Sequence, residues 1–69
     1  MKLRYDTEDD VLMVWLAMDK VDHAEQKENV IVHFSSDDRP VLLEILQASE
    51  FLKRAYRAMP EQDQQRVFA

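Results

Sequence analysis

The sequence predicts an α+β fold, an antiparallel β-meander of four or five strands followed by one C-terminal amphipathic helix. Three observations carry this. Short runs of β-branched, aliphatic and aromatic residues alternate with polar turns. The turns are too short for parallel crossovers, so chain neighbours pair antiparallel. From Ala48 onward the apolar spacing changes from that of a strand to that of a helix.

Each element has a local reason. Lys2-Leu3-Arg4-Tyr5 alternates polar and apolar as a short strand does, and Asp6 to Asp10 is a polar turn. Val11 to Leu16 is the second strand, and Met18-Asp19-Lys20 a turn. Val21 to Gln26 reads as a polar edge strand, whose charges discourage unwanted pairing. Lys27-Glu28-Asn29 turns the chain into Val30-Ile31-Val32-His33-Phe34, a β-branched and aromatic strand. Ser35 to Pro40 is a turn, and Pro40, which cannot donate to a ladder, should open the strand Val41 to Leu46. Apolar residues at 48, 51, 52, 55, 56 and 59 then form one helical stripe opposite Glu50, Lys53, Arg54 and Arg57. Ser49 or Gln47 is the cap, Ser being the better acceptor. Pro60 ends the helix near Met59. Residues 1–59 thus read as one sheet-plus-helix domain, and 60–69 as an extension, either a short helix or a flexible tail.

The second strand is apolar on both sides. Leu12, Val14 and Leu16 can fill a core, and Val11, Met13 and Trp15 then need a different cover. One helix covers one sheet face. Leu42 and Leu46 join Val11, Met13 and Trp15 on the face left over, so these five are the expected partner or oligomer interface. Trp and Met are favoured at interface centres. Whether Leu3 and Tyr5 share the face of Leu12 or of Trp15 is open at this level.

Composition narrows the function. Sixty-nine residues without cysteine exclude disulfides, thiolate zinc sites and a Cys nucleophile. There is no glycine, so there is no phosphate loop, and turns needing positive φ fall to Asn or Asp; Asp19, Asn29, Asp37 and Asp38 are the candidates. No apolar run is long enough for a membrane span, and the acidic N-terminal stretch does not resemble a secretory signal, so a cytoplasmic location is expected. The net charge of −5 is uneven: residues 1–50 carry five basic and twelve acidic side chains, residues 51–69 four basic and two acidic. An acidic body suits basic partners. The acidic run Asp6, Glu8, Asp9, Asp10 lacks cation-loop spacing and reads as a turn in which Asp6 accepts backbone N–H bonds. His23 and His33 are too isolated for a metal site. Lys53, Arg54 and Arg57 form a basic helix face that could touch nucleic acid. No catalytic constellation and no cofactor motif is present, so an enzyme is not expected.

Two blocks resemble a known family of small bacterial and archaeal proteins, the domain of unknown function 2283 family. The first runs from Lys2 to Leu12, where the family reads Lys-Ile-x-Tyr-Asp-x-Glu-x-Asp-x-Leu. The second joins Val30-Ile31-Val32-His33-Phe34 to Val41-Leu42-Leu43-Glu44-Ile45-Leu46-Gln47-Ala48-Ser49, where the family often reads Val-Ile-Val-Asp-Tyr and Gly-Ile-Glu-Ile-Leu-Asp-Ala-Ser. The chain departs at Asp38-Arg39-Pro40 and Leu42, where glycines are usual, and at His33 and Gln47, where acidic residues are common. The resemblance implies a small sheet domain, and some members look like the antitoxin half of toxin–antitoxin pairs. The expected function is therefore a non-catalytic protein-interaction module, an antitoxin neutralising a small basic ribonuclease-like toxin. The alternative is a self-associating structural protein. A protein partner and a homo-oligomer, dimer favoured, are the expected assemblies.

Overall fold

In a computed structural model the structure describes residues 1–67, with side chains through Arg66. Phe68, which the sequence places at an apolar chain end with Val67, lies outside the described residues. Five strands are followed by two helices: β1 (Lys2–Asp6), β2 (Val11–Trp15), β3 (His23–Lys27), β4 (Val30–Phe34), β5 (Pro40–Leu46), α1 (Ala48–Ala58) and α2 (Glu61–Val67). The α+β class and the antiparallel sheet with helix after it stand as predicted, and Pro40 opens β5. The extension forms a short helix, α2.

The strand order is β1-β2-β5-β4-β3, all antiparallel, so the sheet is not a sequential meander. The physical reason is polarity. A meander would place β3 (His-Ala-Glu-Gln-Lys) in the middle and leave β5 (Pro-Val-Leu-Leu-Glu-Ile-Leu) at an edge. The observed order puts the most apolar strand in the centre, hydrogen-bonded on both sides, and the charged strands β1 and β3 at the edges. Two hairpins, β1–β2 and β3–β4, are thus bridged by β5. The Leu16–Asp22 connection crosses the end of β5: the Leu16 N–H donates to the Val41 carbonyl at 2.7 Å, and the Asp22 N–H to that of Phe34 at 2.7 Å.

A chain without glycine must place other residues in the left-handed region. Asp10, Glu28, Asp38 and Gln47 do so, at φ 54°, 54°, 64° and 51°. Of the expected turn residues only Asp38 is among them; Asp10, Glu28 and Gln47 take the role expected of Asp19, Asn29 and Asp37. The β3–β4 turn has two residues between paired Lys27 and Val30, and the tight closure falls on Glu28 rather than Asn29.

The helix does not lie against the sheet. α1 makes only marginal contact with the strands, and Phe51 and Leu52 on its apolar stripe are 44% and 45% exposed. A seven-residue strand of about 23 Å and an eleven-residue helix of about 16 Å, end to end, nearly account for the 41 Å long axis of the molecule. The arm is turned outward at its root. Gln47 is left-handed at the N-cap and offers no side-chain cap bond. Its place is taken by Asp10, whose Oδ1 accepts the Ser49 N–H at 3.0 Å and whose Oδ2 accepts the Ser49 hydroxyl at 2.6 Å. The expected Ser cap is inverted: Ser49 donates, and a carboxylate from the β1–β2 turn caps the helix. α2 folds back on the arm, with Gln64 Nε2 donating to the Tyr56 and Met59 carbonyls at 2.9 and 3.0 Å.

With no helix over it, the sheet has little enclosed core. Val11, Val41 and Ala48 are the buried apolar residues among those described. The radius of gyration is 13.9 Å, against roughly 11 Å for a compact chain of this length.

Candidate functional site: two open sheet faces

Directly opposed residues in an antiparallel ladder project from the same side of the sheet. The register therefore sorts the side chains into two faces. On one, a first row reads Leu3, Val14, Leu43, Val32, Glu25. A second row reads Tyr5, Leu12, Ile45, Val30, Lys27. Eight adjoining apolar residues thus end at a charged pair on the β3 edge. Leu3 and Tyr5 belong with Leu12, which decides the point the sequence left open. None of these eight is buried, and Leu3 is 61% exposed. Near the β3 edge Glu25, Lys27, Val30 and Val32 help line an open hollow of about 450 Å³.

The opposite face is mixed. Its rows read Lys2, Trp15, Leu42, His33, Ala24, then Arg4, Met13, Glu44, Ile31, Gln26, then Asp6, Val11, Leu46. All five residues predicted as an interface, Val11, Met13, Trp15, Leu42 and Leu46, come together here. Trp15 lies directly opposite Leu42 and Val11 opposite Leu46. Charged groups are interleaved with them. Lys2 Nζ stands 5.4 Å from the Trp15 ring centroid. His33 Nε2 lies 2.5 Å from Glu44 Oε1 in the middle of the face, both side chains about a fifth to a quarter exposed. Met1, Lys2, Trp15, Leu16, Ala17 and Met18 line a shallow hollow of about 180 Å³ at the β1–β2 end.

Sequence reasoning assigned Leu12, Val14 and Leu16 to a core under the helix. The arm points away instead, so that set is open. A signal existed in the sequence. Taking alternate residues of every strand, one set carries no charge on four of five strands, whereas the other holds Lys2, Arg4, Asp6, His33 and Glu44.

The acidic run divides by role. Asp6 Oδ1 accepts the Glu8 and Asp9 N–H groups at 3.0 and 3.3 Å, the turn-fixing role expected of it. Asp10 caps the arm and also accepts the Tyr5 hydroxyl at 2.5 Å. Hydrogen bonds from Ser49, then Tyr5, hold the Asp10 carboxyl below the ordinary aspartate range; the same bond raises the Tyr5 phenol. A second acidic group lies at the opposite end of the sheet. His23 Nδ1 lies 2.8 Å from Asp22 and Nε2 3.0 Å from Asp38, and its ring stacks on Phe34 at 5.3 Å. The Asp22 bond, followed by the Asp38 charge, raises the imidazole above its ordinary value. The Ser35 hydroxyl donates to Asp37, which lowers the Asp37 carboxyl, and Arg39 pairs with Asp19 and Asp37. Among the described residues no group of three or more His, Cys, Asp or Glu side chains is arranged to hold a metal ion. On the arm, Lys53 pairs with Glu50 at 3.7 Å, and Arg54 and Arg57 are exposed.

The family described as "Protein of unknown function (DUF2283)" has a sequence model that matches residues 2–49. The chain belongs to the DUF2283 family. The matched span is the five-stranded sheet plus the Ala48-Ser49 root of the arm, so most of α1 and all of α2 lie beyond it. The DUF2283 region contains the Asp10–Ser49 lock, which joins its first block to its last. Nothing matches this chain among curated proteins or among solved structures. No helix among the described residues is long and apolar enough to cross a membrane.

Proposed function

We propose that this DUF2283 chain is a non-catalytic protein-interaction module, working in the cytoplasm, whose mixed sheet face grips a protein partner. The observation that carries this is the composition of that face. Trp15, Met13 and Leu42 are half-open on it and stand among Lys2, Arg4, Glu44 and His33. Aromatic and Met anchors with Arg among polar neighbours are the pattern of interfaces formed between separately folded proteins. Acidic groups stand at both ends of the sheet, Asp6 to Asp10 at one and Asp19, Asp22, Asp37 and Asp38 at the other. They favour a basic partner and speed its approach, an effect that weakens with salt. An antitoxin that blocks a small basic ribonuclease-like toxin is the specific form of this role. Contact with nucleic acid, in such a complex, falls to the exposed bases of the projecting arm, Lys53, Arg54 and Arg57.

The test is co-expression with the product of the adjacent open reading frame. The expected result is a stable complex that relieves the neighbour's toxicity and is lost in Trp15→Ala. If no complex forms and the neighbour is harmless alone, the antitoxin role fails.

A further inference from the structure

The apolar face is a different kind of surface from the mixed one. Eight adjoining side chains carry no charge, and the ionisable groups of this face, His23, Glu25 and Lys27, all sit on the β3 rim. Such a composition resembles a domain core cut in half, which is the character of obligate homodimer interfaces. The chain's own helix cannot cover it. The left-handed Gln47 and the Asp10–Ser49 bonds set α1 on a path away from the sheet. The accessible surface is 5607 Å², whereas a compact monomer of 8.2 kDa exposes about 4,500 Å². The excess, about 1,100 Å², is shared by the projecting arm and the two open sheet faces.

We infer that this face is covered by the same face of a second copy of the chain, the two sheets stacking about a two-fold axis. This goes beyond the partner-binding role proposed for the mixed face, which stays outward in such a dimer. Charge decides the direction of the axis. Glu25 ends the first row and Lys27 the second, both on β3. A two-fold axis lying across the strands reverses strand direction and stacks β3 on β3. It exchanges the two rows, so each Glu25 meets Lys27 of the other copy, and the pair forms twice. A two-fold axis along the strands would set Glu25 and Lys27 over Leu3 and Tyr5 instead, leaving both charges against apolar side chains. The first arrangement satisfies the rim and joins the apolar rows into one core about 10 Å thick. The arms then point in opposite directions from the two ends of the sandwich.

Sedimentation equilibrium of the full chain tests this. The expected particle has twice the 8.2 kDa chain mass. Lys27→Glu, an exposed substitution, should raise the dimer dissociation constant several-fold, because two like-charged pairs replace two attractive ones. The double variant Glu25→Lys, Lys27→Glu should restore it. Leu43→Glu should abolish the dimer, and Trp15→Ala should leave it intact even where it abolishes partner capture. A folded 8.2 kDa monomer at all concentrations would overturn the inference. So would a dimer indifferent to both Leu43→Glu and Lys27→Glu, or one dissolved by Trp15→Ala. Because Trp15→Ala reports only on the mixed face, loss of partner binding there and loss of the dimer here are read separately.

Discussion

Asp10 and Ser49, thirty-nine positions apart, are tied by two hydrogen bonds of 3.0 and 2.6 Å, and this tie sets the direction of the helical arm. The carboxylate reaches the helix N-terminus from the β1–β2 turn, where the helix dipole and the free N–H groups favour negative charge. Tyr5 buttresses the same carboxylate from β1. The sheet therefore fixes the helix without covering it.

Replacing Asp10 by Ala should loosen the arm while leaving the sheet formed. Hydrogen-exchange protection of the Ser49 amide should fall roughly tenfold, the scale of a lost cap. Protection of the β5 amides should change little. Equal loss in β5, or an unchanged Ser49, would contradict the capping role.

Acid should release the same contact. Asp10 and Asp37 are both held below the ordinary aspartate value of 3.8. A depressed carboxyl contributes stability that is present above the unfolded value and is lost as pH falls through the folded one. Stability should thus decline below about pH 4 and on through the lower folded values. Urea midpoints between pH 2 and 6 report it. The Asp10→Asn, Asp37→Asn variant should show a flatter acid limb, and an identical limb would refute the assignment.

His23 acts in the opposite direction. Its imidazole is raised above the ordinary 6.5 by the bond to Asp22 and the charge of Asp38. A raised base contributes stability that is fully present below the unfolded value and is lost as pH rises through the folded one. The melting temperature should therefore fall as pH rises from about 6 towards 8. His23→Gln should remove that slope, because glutamine keeps polar contact but does not titrate. A slope surviving in His23→Gln would point to another group.

Glu28 holds φ 54° in the two-residue turn between β3 and β4. Left-handed backbone costs a residue with a Cβ roughly 1 kcal/mol, which glycine does not incur. Glu28→Gly should therefore stabilise the fold by about 0.5–1 kcal/mol, read from the denaturation midpoint at constant slope. Destabilisation would mean that the Glu28 side chain matters more than its backbone.

Val41 is 2% exposed, the most enclosed strand residue, where the crossing connection meets β5. Val41→Ala should cost about 2 kcal/mol through lost burial and the cavity left behind. Leu3→Ala, at a site 61% exposed on the apolar face, should cost far less at concentrations where the chain is monomeric. Equal costs would mean that Leu3 is already covered in the single chain.

Much of the fold was legible because it is local. Alternation marked β1, runs of aliphatic, β-branched and aromatic residues marked Val11 to Trp15 and Val30 to Phe34, Pro40 marked the start of β5, and the change of period at Ala48 marked α1. The polar run before Lys27 was readable as an edge strand. The grouping of Val11, Met13, Trp15, Leu42 and Leu46 was also readable, because period-two alternation sorts each strand into two sets wherever it lies. The Glu28 and Gln47 turns were not, since any residue can be forced into the left-handed region when pairing around it demands closure.

By itself, then, the sequence determined four of the strands and the first helix, the antiparallel class, the family and the surplus of apolar side chains over what one helix covers, while the polar strand β3 and α2 stood as one of two alternatives each. Only the tertiary structure decided that β5 lies between the two hairpins, that Leu3 and Tyr5 share the face of Leu12, and that the helix leaves the sheet instead of lying on it. The reason is that these three depend on contacts between residues far apart in the chain. A strand's two sets of side chains are written in its own few residues, but which neighbour it pairs with, and where the next helix points, are set by remote partners such as Asp10 and Ser49.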